Sequence, residues 1–288
     1  MPITPQEIEN VVLEEDDFGH EMRVGSILSP KNIILPRGSY AQFTDPIHGA
    51  TYTDPKTNKA RQFDYRSQVS RGHMGKTRIL FAVECKNLYP DLPLVVCGRP
   101  RTKEEAYHVF IGSDNNRNPG AYRVDGNSSI YKSGHFVGKS LLRLKLKGEK
   151  LCGDGDSEIY DRWSQALASS HELASGAIKA AVSGGIGSFV LPVVALPNKS
   201  LWQVSYNDDG KPIGLPEQTD KCEYYVDHKM PISLPFGHLQ HTLPIVLTHI
   251  LFVTVDGLKK TLADYANSDS YHWDEAFGPH TATKLIAN

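Results

Sequence analysis

The chain has 288 residues, 40% of them hydrophobic and 22% charged, which is enough to bury one large core or two small ones. A formal net charge of −2 excludes a generally basic nucleic-acid coat but leaves room for a local basic groove. The longest apolar runs fall far short of a membrane span, so no membrane partner is expected. Cys85, Cys97, Cys152 and Cys222 are scattered and form no C-x-x-C pair. They support neither a disulfide framework nor a zinc ribbon, and a reducing cytoplasm is the expected location. The opening stretch, MPITPQEIENVVLEEDD, is acidic and has no apolar h-region, so no secretory leader is expected.

Residues 4–28 read as helical. Thr4 is placed to cap a first helix, with Glu7 in capping-box position, and Asp16 or Asp17 to cap a second that stops before Pro30. Residues 30–58 are rich in Pro, Gly, Thr and Asp and read mostly as loop. ARQFDYRSQVS and TRILFAVECKNL then form two strands around RGHMGK, a hairpin. LPLVVCG is a short strand, and TKEEAYHVFIGS starts like a helix. Residues 112–156, rich in Gly, Asn, Ser and Lys, read as a loop-rich insertion or lid. GHFVGKS at 134–140 fails the phosphate-loop pattern, because only three residues separate its glycines.

The clearest long helix is 157–182, with Ile159, Trp163 and Leu167 at helical spacing, and SGGIG ends it. SFVLPVVALP and SLWQVSY are strands, and IVLTHILFVTVDGLKKTLADYA is a strand running into a last helix. His238, His241 and His249 sit in a stretch broken by Pro235, Gly237 and Pro244, which suits loop and core histidines rather than zinc. Helices and strands alternate, so the class is α/β in a single domain.

The chemistry concentrates in the hairpin. Its turn centres on Met74, so Asp64 faces Glu84 across the antiparallel pair. Lys86 shares that face by the period of two. A one-residue slip would turn Asp64 to the other face, so the register decides the reading. Two carboxylates this close repel unless a cation lies between them, and Mg²⁺ suits hard oxygen ligands. Such an ion activates water and neutralises phosphate charge, with a neighbouring lysine assisting. The plainer alternative is a solvated strand end with one ion pair, which gives no reason for Asp64.

An Asp on one strand, nineteen intervening residues, then ECK on the next resembles the PD-(D/E)XK, or restriction-endonuclease-like, nuclease superfamily. The residue before Asp64 is Phe63 where that pattern has proline. Glu21, in FGHEMRVG, matches the glutamate of the family's N-terminal helix. The resemblance implies an αβββαβ core, a central mixed sheet flanked by helices, over about residues 17–206. Residues 112–156 would be an insertion and 207–288 a C-terminal extension. It implies a Mg²⁺-dependent nuclease acting on DNA, with Mn²⁺ able to substitute. Asp64, Glu84 and Glu21 would bind the metal, and Asp64, Glu84 and Lys86 would be catalytic. The alternative is a nuclease-fold protein that binds nucleic acid or a partner protein without cleaving. Cutting both strands would favour a homodimer.

From Lys56 to Lys103 there are eleven basic and three acidic residues, a local net charge of +8. Arg66, Arg99 and Arg101 are the expected phosphate contacts from this run. A second cationic run, Lys132 to Lys150, reads either as a segment that closes over a substrate or as a mobile loop.

Overall fold

The computed structural model describes the chain apart from residues 1–2, 15–16, 36–40, 72–75, 89–91, 115, 155, 237–238, 268–272, 274–282 and 286–288. In chain order its elements begin with α1 (Pro5–Glu14), α2 (Asp17–Leu28), β1 (Gln42–Phe43), β2 (Ile47–His48), β3 (Thr51–Thr53) and β4 (Ala60–Gln62). The hairpin β5 (Tyr65–Arg71) and β6 (Thr77–Cys85) follows, then β7 (Leu94–Pro100), β8 (Tyr107–Ser113) and β9 (Pro119–Asp125). Next come β10 (Phe136–Lys147), β11 (Lys150–Asp154), α3 (Asp156–Gly184), β12 (Gly187–Leu196), β13 (Leu201–Tyr206) and β14 (Pro212–Gln218). The chain ends with β15 (Lys221–Phe236), β16 (Leu239–Thr254), α4 (Val255–Ala266) and β17 (Thr283–Leu285).

The first helix starts as expected. Thr4 N donates to Glu7 Oε2 at 2.8 Å while Glu7 N donates to Thr4 Oγ1 at 3.3 Å, a reciprocal cap. Asp16, a candidate cap for α2, lies outside the described residues. The tip of the hairpin at Met74 does too.

Among the described residues, fifteen strands form one mixed sheet, and β3 and β4 pair separately. The main path runs β1-β5-β6-β12-β16-β15-β10-β7-β13-β14. β6, β12 and β16 lie side by side and parallel, while β5 pairs antiparallel with β6. β6 from Ile79 to Cys85 and the whole of β12 are buried, as strands covered on both faces must be. One core packs Leu80, Val190 and Val194 against Trp163, Leu167 and Ile178 of α3. The other packs Ile79, Phe81, Val83 and Leu191 against Val24 and Leu28 of α2 and Leu258 and Leu262 of α4. The fold is therefore mixed α/β, a large mixed sheet flanked by few helices.

Three expectations change. Residues 112–156 are not loop but mostly strand: β8, β9, β10 and β11 run through them. Their glycines mark tight turns. Gly126, Gly134 and Gly148 have φ of 60°, 82° and 65°, a region open to glycine and costly for other residues. Around them Ala121, Val124, Val137 and Leu141 are buried. TKEEAYHVFIGS makes only a turn, with Thr102 N donating to Glu105 Oε2, before it becomes β8. Residues 207–288 are likewise no appendage, because β16 lies between β12 and β15 inside the sheet.

Candidate active site at the end of the hairpin

The register of β5 with β6 pairs Tyr65 with Val83 and Arg66 with Ala82. The ladder ends at Tyr65, and its register continued by one residue would bring Asp64 level with Glu84. Asp64 Oδ2 accepts a hydrogen bond from Cys85 N at 2.6 Å, which ties its carboxylate to the strand beside Glu84. Leu80 on β6 faces α3, so Glu84 faces it too by the period of two, and the odd residues face α2 and α4. Lys86 N still donates to Ala195 O of β12 at 2.9 Å, so the residue after the strand keeps its alignment.

Lys86 Nζ lies 2.5 Å from Glu84 Oε1 and 3.2 Å from Gln165 Oε1 on α3. Among the described residues no hydrogen bond engages Asp64 Oδ1 or Glu84 Oε2. Glu84 is only 4% exposed. Burial pushes its pKa up to about 7; the Lys86 charge opposes this, and the Asp64 and Glu21 charges add to it. Burial also raises Asp64, against the Cys85 hydrogen bond and the charges of Lys86, His48 and His20.

Glu21 reaches this end of the sheet on α2. The helix is anchored by His20 Nε2, 3.0 Å from Ala195 O. It packs so closely that a Cβ at Gly25 would lie 2.4 Å from the Tyr65 hydroxyl. Glu21 Oε2 is 3.4 Å from His48 Nε2, and the His48 ring stacks on Tyr65 at 4.5 Å. Among the described residues, no three His, Cys, Asp or Glu side chains form a ready-made metal cage. Asp64 and Glu84 carry hard oxygen donors of the kind Mg²⁺ accepts, with water completing its shell, while Glu21 is turned to His48.

The structure also brings up residues the sequence did not flag. Gln165 lies 79 positions from Lys86, and nothing local marks it on a helix read as core. His48 sits in a segment read as loop and is placed by its pairing with Tyr65.

A comparison with protein-family models, curated proteins and solved structures finds no match for this chain.

The three arginines have different surroundings. Arg66 shares the α3 face of β5, but its guanidinium donates to Ser169 O at 3.2 Å and Glu172 Oε2 at 3.0 Å and lies over the Phe63 ring at 3.9 Å. It clamps β5 to α3. Arg99 is exposed on β7, five strands along the sheet from β6. Arg101 is buried, held by Glu223, His249 and the Lys132 carbonyl. Much of the local positive charge is consumed in the same way: Arg61 pairs with Asp54, Arg71 donates to Ala266 O, and Arg78 donates to Ser188 and Gln68. Lys56, Lys59, Lys76, Arg99 and Lys103 remain exposed.

Proposed function

We propose that the chain is a Mg²⁺-dependent nuclease acting on DNA, of the PD-(D/E)XK kind, with Mn²⁺ able to substitute. The observation that carries this reading is the Lys86 ammonium on Glu84, with the Asp64 carboxylate hydrogen-bonded to the next amide, at the end of a hairpin whose register supports Asp64 and Glu84 as neighbours. Asp64 and Glu84 hold the metal. The bound dication supplies an acidified water and neutralises charge on the phosphate. Lys86 donates a hydrogen bond to the phosphate oxygen that gains charge, and Gln165 holds the ammonium in place. Glu21 adds negative charge that opposes ionisation of Glu84, a repulsion that a bound cation would relieve. Arg101 is left out of the phosphate contacts because its donors are spent inside the protein. Cutting both strands of a duplex would call for two copies of the chain.

The test is cleavage of labelled DNA and RNA in Mg²⁺ and in chelator. DNA should be cut only with the metal. Asp64→Asn, Glu84→Gln and Lys86→Met should each slow cutting by about 10²-fold or more with the fold retained. Full activity in the Asp64→Asn protein would overturn the assignment.

A second reading is a nuclease-fold protein that binds nucleic acid or a protein without cutting. It draws on the direct Lys86–Glu84 ion pair, which satisfies Glu84 without a metal. Calorimetry with Mn²⁺ separates the two readings, since the second requires no uptake that depends on Asp64 and Glu84.

A further inference from the structure

A cavity of about 310 Å³ lies beside the hairpin site, lined by Lys56, Leu167, His171, His228, Lys229 and Met230 among others. It shares two walls with that site. On α3, Leu167 and His171 follow Gln165, which holds Lys86. On the other wall, Asp54 to Lys56 follow Tyr52, whose hydroxyl lies 3.5 Å from the Gln165 carbonyl. Burial raises the Tyr52 phenol to about 12, and the charge of Glu84 is the next cause, which puts this segment within reach of both.

The third wall is β15. One residue more lies between Tyr225 and His228 than between their partners His249 and Leu247, a bulge that includes Asp227 at φ 43°. Bulges re-aim the side chains that follow them. Beyond it His228 shares a face with Met230, which packs into the α3 core.

The lining chemistry is cationic and apolar at once. The carboxylate of Asp54 is taken by Arg61 Nε at 2.6 Å and by the amides of Lys56 and Thr57. Among the described residues no ion pair engages Lys56 or Lys229, and no side-chain hydrogen bond engages His171 or His228. Burial lowers both imidazoles, and Lys56 and His171 press His228 down further. The Lys229 side chain leaves β15 on the face opposite His228 and Met230, so the rim carries the Lys56 ammonium, and the walls carry two neutral rings with Leu167, Ala168 and Met230 between them. Phosphate suits the first and a nucleobase face the second. A space of this size admits one unpaired nucleotide and excludes a base pair.

We propose that this cavity binds one unpaired nucleotide of the substrate strand, its phosphate on Lys56 and its base against His171 and His228. The identity of the ligand rests on the hydrolytic reading above. The substrate is then a single strand, or a duplex frayed next to the bond that is cut.

Binding is measured by fluorescence anisotropy in the Glu84→Gln background, with a labelled single-stranded oligonucleotide and its blunt duplex as probes. The single strand should bind at least tenfold tighter. Lys56→Ala should weaken it at least threefold and flatten the slope of log K against log salt by about 0.7, at ~0.7 per phosphate contact. His171→Ala with His228→Ala should weaken binding and leave the slope unchanged, because neutral rings displace no counterions. Lys56 is exposed, so that variant keeps the fold whatever the histidine pair does. Unchanged affinity in the lysine variant, or duplex bound as tightly as single strand, would overturn the proposal. Oligonucleotide binding that depends on Lys56, His171 and His228 in a protein that never cuts would support the cavity and sink the hydrolytic reading. Metal-dependent cutting with binding indifferent to all three would do the reverse.

Discussion

The ammonium of Lys86 lies 2.5 Å from Glu84 Oε1, at a carboxylate only 6% exposed in its side chain. The pair sits at the end of a strand buried from Ile79 onward. Burying a carboxylate is costly, and one ammonium offsets only part of the cost when Asp64 and Glu21 add negative charge nearby. The strand therefore ends in a group that is unfavourable for folding alone, which is common where residues serve chemistry.

A pH dependence of stability follows. The pKa of Glu84 is about 7 in the folded protein against 4.5 as its ordinary value. The folded state binds more protons than the unfolded state between those values, so this contribution is full below about pH 4.5 and lost as the pH rises through 7. The gap corresponds to about 3 kcal/mol. Urea unfolding in chelator, for the parent and Glu84→Gln, should show the difference in stability moving by up to about 3 kcal/mol in favour of Glu84→Gln between pH 5 and pH 8. A difference that stays constant over that range would remove the buried charge from the account.

Gln165 is a positioning residue for Lys86. Its amide oxygen accepts from Nζ at 3.2 Å, and a hydrogen bond to a charged group contributes about 1.5–3 kcal/mol. If Lys86 acts in the transition state, Gln165→Ala should lower kcat about tenfold or more and leave KM near its parent value. Steady-state kinetics on the metal-dependent cleavage reads both numbers. A rise in KM at constant kcat would instead make Gln165 a substrate contact.

The sequence carried the local part of this architecture well. The hairpin register, the Thr4–Glu7 cap and the strand-to-helix run of β16 and α4 each follow from short-range patterns. Residues 112–156 were misread because composition reports turns more loudly than strands. The positive-φ glycines dominate the count while Val137 and Leu141 pair with β7, a strand distant in sequence. Gln165 and the bulge before His228 depend on packing between elements far apart in the chain, and no local pattern encodes them. The arginines show the same limit. A count of positive charge says nothing about which guanidinium is already engaged.

Arg99 and Arg101, two residues apart, should accordingly differ in what their loss does. The side chain of Arg101 is fully buried. Its Nη2 donates to Glu223 Oε2 at 2.5 Å, Nη1 to Lys132 O at 2.9 Å, and Nε to His249 Nε2 at 3.1 Å. That last bond requires an unprotonated Nε2. Burial, together with the Arg101, Lys139 and His108 charges, holds the His249 pKa well below its ordinary value. The ring proton then sits on Nδ1 and points to Thr248 Oγ1 at 2.9 Å. Arg101→Met leaves Glu223 Oε2 and the Lys132 carbonyl without their close partner, with only Lys221 at 3.5 Å from Glu223 Oε1, and should cost about 3–5 kcal/mol in urea unfolding. Arg99→Met, at an exposed position, should change stability by less than about 0.5 kcal/mol. Binding of a labelled oligonucleotide by folded Arg101→Met protein should match the parent, because the guanidinium never meets solvent. Parent-like stability together with weakened binding would return Arg101 to the surface role its position in the basic run suggests.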